Sequence, residues 1–279
     1  MSKKFSKLQT ILLVLLIMFI GFIVILLGLP KLISFISSQL GYKLSSKDLM
    51  TNYTVGTIVR LIGVVTCFIF MKIIGITKEF KWSFNRKYIA FSWLFFIYII
   101  LNFELIDISS NMIFPIIMMI ISCLFVGLYE EIVFRGLILS LVLKHWGETK
   151  KGVYFSVIFS SSAFGLMHLI NLFDGANVIS VVAQVFYATI IGIFFSALLL
   201  RTNNNLLWCA LLHAIYDIAS GFEDFIPKSA HGASNNVDIL PVLINLAEFT
   251  PLLILGLFLL RKIANVSSDG TVILTEKTS

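Results

Sequence analysis

MIFPIIMMIISCLFVGLYEEIVFRGLILSLVL, residues 112–143, is an apolar run that holds three charged side chains, Glu130, Glu131 and Arg135. A helix crosses the hydrocarbon core of a bilayer with about 20 apolar residues, so this run spans a membrane and extends beyond it. An ionisable side chain within such a helix costs at least about 2.5–3.5 kcal/mol on insertion scales and marks a functional site by default. Glu131 and Arg135 are four residues apart and share a face, with the acid on the N-terminal side, the favourable order. An ion pair there offsets part of the cost of both charges. Glu130 points about 100° away around the helix and has no partner within its own turn, which makes it a candidate general base. The plainer alternative is an arginine reaching out of a water pocket that two glutamates solvate.

The rest of the chain has the same character. Of 279 residues, 58% are hydrophobic and 13% charged, against about 25% charged in soluble domains. There are 26 Phe residues, and the mean hydropathy is +0.98. These figures exclude an ordinary soluble enzyme, a disordered chain and a nucleic-acid-binding protein, despite the net charge of +6. The fold class that follows is all-α, a polytopic transmembrane bundle of about eight spans. They are read at Ile11–Leu29, Tyr53–Ile74, Tyr88–Phe103, Met112–Leu143, Val153–Asn171, Val178–Leu200, Leu206–Phe222 and Ile239–Leu260. The first run follows Lys3, Lys4 and Lys7 but lacks a small-x-small cleavage site, and it reads as a signal anchor. Pro30 reads as a helix end, Pro251 as a kink, and the polar tail after Lys262 as frayed.

Charge asymmetry orients the bundle. With both termini cytoplasmic, inner segments hold fifteen Lys and Arg residues, among them Lys72, Lys78, Lys81, Lys144, Arg201 and Arg261. Outer segments hold four, Lys31, Lys43, Lys47 and Lys228. Positive loops stay inside, so the net charge is a topology signal.

Further ionisable groups stand at His168 in F-x-x-x-H with Phe164, at His213 and Asp217 in H-x-x-x-D, and at Arg60. Each four-residue spacing puts the pair on one helical face. A lone His in an apolar helix is more often structural than catalytic. His213 and Asp217 read equally as an orienting pair, a metal-ligand pair or a simple hydrogen bond. Arg60 either pairs with Glu104 or Asp107 or reaches to the outer face, and carries no catalytic role. His145 and His231 read as solvated. Cys67, Cys123 and Cys209 lack any CxxC spacing and read as buried thiols. At about 1.5 Å per residue, Glu130 lies some 21 Å from Lys144, His168 some 22 Å from Val153, and His213 and Asp217 some 10–17 Å from Leu206. The three groups are expected to converge in the middle to inner part of the bilayer, in a cavity reached from the cytoplasm.

Glu130-Glu131-x-x-x-Arg135, Phe164-x-x-x-His168 and His213-x-x-x-Asp217, in this order, resemble the three motifs of the CPBP family. These are the CAAX prenyl protease and bacteriocin-processing proteins, also called Abi. The resemblance covers about Val126 to Ile218. It implies an intramembrane endopeptidase in which Glu130 and His168 hold and activate the attacking water. His213 and Asp217 would stabilise the tetrahedral oxyanion, and Glu131, held by Arg135, would support the site. Members related to the eukaryotic protease carry Asn where this chain has Asp217. Asn donates a hydrogen bond to an oxyanion and an ionised Asp does not, so Asp217 would be protonated, orient His213 or ligate a metal. Glu130, His168 and His213 form a set that zinc accepts, whereas no HExxH is present, and the family also admits a metal-free, glutamate-dependent mechanism.

The chain then divides into N-terminal transmembrane helices (1–110), a CPBP-like catalytic core (111–222), and an outer loop, last helix and cytoplasmic tail (223–279). The implied partners are a peptide or membrane-protein substrate and the lipid bilayer, with no nucleic acid. The implied location is a bacterial plasma membrane, with leader, pheromone or bacteriocin processing, or self-immunity, as the role. The contrasting reading is a non-enzymatic immunity factor or a proton-coupled transporter, since intramembrane Glu and His also serve proton relays.

Overall fold

In an apolar surround the backbone N–H and C=O groups find no water and must pair within their own segment, and each apolar run of this sequence is helical. The computed structural model describes residues 5–45, 48–83, 85–103, 105–106, 108–226, 239–267 and 269–275. Helix α1 (Lys7–Gln39) starts on a capping box formed by Ser6 and Gln9. Then come α2 (Leu49–Ile74), α3 (Ile89–Leu101), α4 (Ser110–Trp146) and α5 (Lys150–Met167), the last drawn on by a 3₁₀ stretch, His168–Asp174. Asn177 and Asn205 cap α6 (Val178–Arg201) and α7 (Leu206–Gly221) through their side chains. Helices α8 (Ile239–Glu248) and α9 (Thr250–Leu260) and a short hairpin, β1 (Ile263–Val266) against β2 (Val272–Leu274), complete the chain.

The bundle is therefore all-α, and among the described residues five helical stretches are long and apolar enough to cross a membrane. They are Lys7–Gln39, Leu49–Ile74, Ser110–Trp146, Lys150–Phe173 and Val178–Arg201. Polarity is inverted relative to a soluble protein: Ile100 and Phe114 are each 72% exposed, whereas Ser92, Ser156, Ser160 and Arg135 are fully buried.

Three expectations are corrected. Pro30 does not end a helix. It follows the π-helical turns Phe19–Gly28, whose wider register shifts the carbonyls it would clash with, and α1 runs on to Gln39. The tail after Lys262 is not frayed as a whole, since Val266 pairs with Val272 and Ile263 with Leu274. In the turn of this hairpin the Ser267 hydroxyl and the Thr271 N–H hold the Asp269 carboxyl down to about 2. His145 is half-buried, its ring edge-on to Trp146. Helices α8 and α9 are separated at Phe249, and Pro251 stands in the first turn of α9. The three cysteines are buried and free. His231, and Glu104 and Asp107 as partners for Arg60, lie outside the described residues.

Between helices in lipid there is no hydrophobic drive, so close approach of small residues carries the packing. A Cβ on Gly127 of α4 would stand 2.6 Å from the Ala210 carbonyl and 2.8 Å from the Ala214 nitrogen of α7. A Cβ on Gly165 of α5 would meet Thr189 at 2.1 Å, and one on Gly192 of α6 would meet Ser161 at 2.9 Å. These crossings lock α4 to α7 and α5 to α6.

One end of the bundle is tied shut. Lys144 pairs with Glu79 at 2.8 Å, the Lys81 N–H donates to the Asn204 carbonyl, and Asn205 donates to the Ser83 carbonyl. Asn204 donates to Gly270, Lys150 to the Arg261 carbonyl, and the Val266 N–H to Gly147. The hairpin thus seals the end where α2, α4, α6 and α9 finish and α5 and α7 begin. Gly127→Val puts side-chain atoms into the backbone of α7 and is expected to cost at least about 1–3 kcal/mol, the usual range for overpacking. Gly136→Ala, whose nearest neighbour is a flexible Leu206 methyl at 3.4 Å, is expected to be tolerated; thermal unfolding in detergent compares the two.

Candidate active site

The Gly127 crossing brings the charged turn of α4 against the middle of α7. Glu131 Oε1 accepts from Arg135 Nη1 at 2.9 Å and from His213 Nδ1, also at 2.9 Å. Glu131 and Arg135 are wholly buried. Arg135 donates through its second terminal nitrogen to the Gly192 carbonyl at 3.2 Å, and its guanidinium lies 4.6 Å from the Phe164 ring centroid and 5.5 Å from that of Phe195. Cation–π contact and charge-assisted hydrogen bonding replace part of the hydration the cation has lost, with Arg135 Nε left without a hydrogen-bond partner.

A π-helical stretch, Ile132–Leu139, follows the two glutamates. Such widened turns leave carbonyls short of their usual donors and recur at functional sites. Here the Ser160 hydroxyl donates to the Phe134 carbonyl at 2.7 Å and the Ser140 hydroxyl to the Arg135 carbonyl at 3.2 Å.

His213 is the hub. Its ring stacks on Phe195 at 5.6 Å and meets Phe164 edge-on at 5.8 Å. With Nδ1 donating to Glu131, Nε2 is presented to Glu130 Oε2 and Asp217 Oδ2, each 3.6 Å away. The expected Glu131–Arg135 pair is present, and Glu130 meets His213 across the helix crossing.

His168 stands apart from this chain of contacts. Its Nδ1 lies 3.1 Å from the Phe164 carbonyl, which only accepts, so Nδ1 carries the hydrogen and Nε2 of the neutral ring keeps its lone pair. Among the described residues no hydrogen bond or ion pair joins His168 to Glu130. His168 instead shares a cavity of about 730 Å³ with His213 and Asp217. Tyr98, Tyr187 and Phe249 also line it, their rings stacked with centroids 5.3 and 5.1 Å apart.

The zinc-type set Glu130, His168 and His213 is not gathered about one point, and no three His, Cys, Asp or Glu residues among those described are grouped to hold an ion.

The cavity lies toward one end of the bundle. Its lining comes from the ends of α3, α5 and α7 and the beginnings of α6 and α9, with Asn102, Ser220 and Glu223 toward the bundle end opposite Lys144 and Arg201. His168 directly follows α5 and opens the 3₁₀ stretch that extends it, and Asp217 lies one turn from the end of α7, which places the cavity in that half.

Residues 112–219 match a family model described as Type II CAAX prenyl endopeptidase Rce1-like. The segment is Rce1-like. This agrees with the resemblance carried by the three motifs and supports an intramembrane protease. No curated protein and no solved structure matches the chain.

Sequence reasoning missed Phe195, the Gly192 carbonyl and the Tyr98–Phe249–Tyr187 stack. They belong to apolar runs with no polar signal and become visible only when the helices pack. It also gave Arg60 no role. The guanidinium turns into the α2–α4 groove, where a Cβ on Gly56 would meet it at 3.2 Å and Ser122 at 3.3 Å, within electrostatic reach of Glu130 and Asp217.

Arg135→Met leaves Glu131 buried without its cation and is expected to destabilise by about 3–5 kcal/mol. Adding Glu131→Gln removes the orphaned charge and is expected to recover part of that loss, read as the melting temperature in detergent.

Proposed function

We propose that this chain is an intramembrane endopeptidase that hydrolyses a peptide bond within the cavity shared by His168, His213 and Asp217. The observation that carries this reading is that all six charged or imidazole residues of the three motifs fall inside the Rce1-like segment, and five of them form one buried contact network.

Glu130 and His168 hold and deprotonate the attacking water, His168 through its Nε2 lone pair. His213, protonated on both ring nitrogens and fixed at Nδ1 by Glu131, turns its Nε2–H from the neighbouring Asp217 and Glu130 carboxylates toward the oxyanion that forms as the carbonyl becomes tetrahedral. Asp217 orients His213; as a carboxylate it accepts hydrogen bonds only. Arg135 positions Glu131 and so acts through it. The proton taken from water passes to the leaving amine.

In this reading the chain crosses the membrane eight times with both termini cytoplasmic, and residues 111–222 form the catalytic core between N-terminal helices (1–110) and a last helix with its tail (223–279). The membrane is a bacterial plasma membrane. The substrate is a leader-bearing peptide, a pheromone or a bacteriocin precursor.

Cleavage of a panel of leader-like and prenylated peptides by the purified protein in detergent is the test. Glu130→Ala and His168→Ala are each expected to lower the rate by about 10²–10⁴, the range for losing a general base. Asp217→Asn is expected to keep more activity than Asp217→Ala, because an amide still orients the ring. Undiminished cleavage in both Glu130→Ala and His168→Ala would remove the mechanism. A chelator added to the wild type separates glutamate-type from metal-dependent chemistry.

A further inference from the structure

The two ends of the bundle differ in charge and in closure, and the cavity belongs to only one of them. Among the described residues, Lys72, Lys78, Lys81, Lys144, Lys150, Lys151, Arg201, Arg261 and Lys262 all lie at or beside the end tied by the hairpin. At the other end the described cations are Lys31 and Lys43.

Most of the lining comes from the helix halves remote from the basic end, with Leu94 of α3 and Ile191 and Phe195 of α6 reaching past the middle toward it. From α3 come Tyr98 and Asn102 at its close, from α7 Asp217 and Ser220, and from α6 Gln184 and Tyr187 in its first turns. Glu223 and Glu248, both exposed, stand at the rim. Toward the basic end the space below His213 is closed by Leu198, Leu206, Cys209 and Leu212, all fully buried. Beyond them lie the Lys81–Asn204 and Asn204–Gly270 hydrogen bonds. The polar rim of the cavity, Asn102, Ser220, Glu223 and Glu248, thus stands at the end remote from the basic one.

Basic segments flanking transmembrane helices are retained in the cytoplasm. We infer that the cavity opens to the extracytoplasmic side, so that the substrate is a peptide segment already translocated, an exported peptide or the outer juxtamembrane stretch of a membrane protein. The word substrate rests on the protease reading; the side of access rests on the cavity and the charge distribution alone.

The test is thiol labelling in intact cells that express the chain, with a membrane-impermeant maleimide. The three native cysteines are buried, and the unsubstituted chain sets the background. Asn102→Cys and Ser220→Cys place a thiol at the mouth on two different helices, and Glu148→Cys places one at the exposed basic end. Both mouth thiols are expected to label in intact cells, and Glu148→Cys only after permeabilisation. The reverse pattern, with Glu148→Cys labelled in intact cells and both mouth sites silent until permeabilisation, would overturn the inference. Labelling needs no catalysis, so a chain that labels from outside and cuts nothing refutes proteolysis and leaves the side of access standing. A chain that cuts peptides in a Glu130-dependent way yet labels from inside does the opposite.

Discussion

Oxygen Oε1 of Glu131 accepts from Arg135 and from His213 at the same distance, 2.9 Å. The site is arranged around this shared acceptor. Two charges withdrawn from water cost several kcal/mol each unless they are paired and otherwise hydrogen-bonded. The chain meets part of that demand with the Gly192 carbonyl and the faces of Phe164 and Phe195 around the guanidinium, while Glu131 Oε2 and Arg135 Nε have no hydrogen-bond partner. The pair on α4 draws in His213 from α7, the carbonyl from α6 and the ring of Phe164 from α5. Four helices are thereby held in one register by a single carboxylate.

Such a network forms only where the backbones come close enough, and small residues set that distance. Gly127 lets α4 lie on α7, while Gly165 and Gly192 let α5 lie on α6. The π-helical turns from Ile132 to Leu139 then reset the rotation of the lower part of α4, with serine hydroxyls taking up the carbonyls left short of donors. Irregular backbone in a membrane is stable only where protein covers it, and all eight residues of this stretch are buried.

The asymmetry of the bundle has the same physical basis. At the end where Lys and Arg collect, side chains and loop carbonyls tie α2, α4, α6, α7 and the hairpin together. At the other end the helices splay around aromatic rings and leave a cavity lined by His168, His213 and Asp217. Toward the opposite end Leu198, Leu206, Cys209 and Leu212 are fully buried.

The sequence by itself determined the helices, because backbone groups in lipid have no partner outside their own segment, and it singled out the charged residues, because each is costly there. The four-residue spacing of Glu131 and Arg135 already implied their pairing. Other features were decided only by tertiary structure. That Glu131 also binds His213, that Glu130 meets His213 while His168 stands apart, and that Phe195 and Gly192 complete the arginine's surroundings depend on helix crossings between segments up to 83 residues apart. The bundle end at which the cavity lies was likewise not legible from distances along single helices. Rise per residue gives depth within one helix but does not say which ends splay and which are sealed, and that is settled by how the helices pack and where the loops close over them.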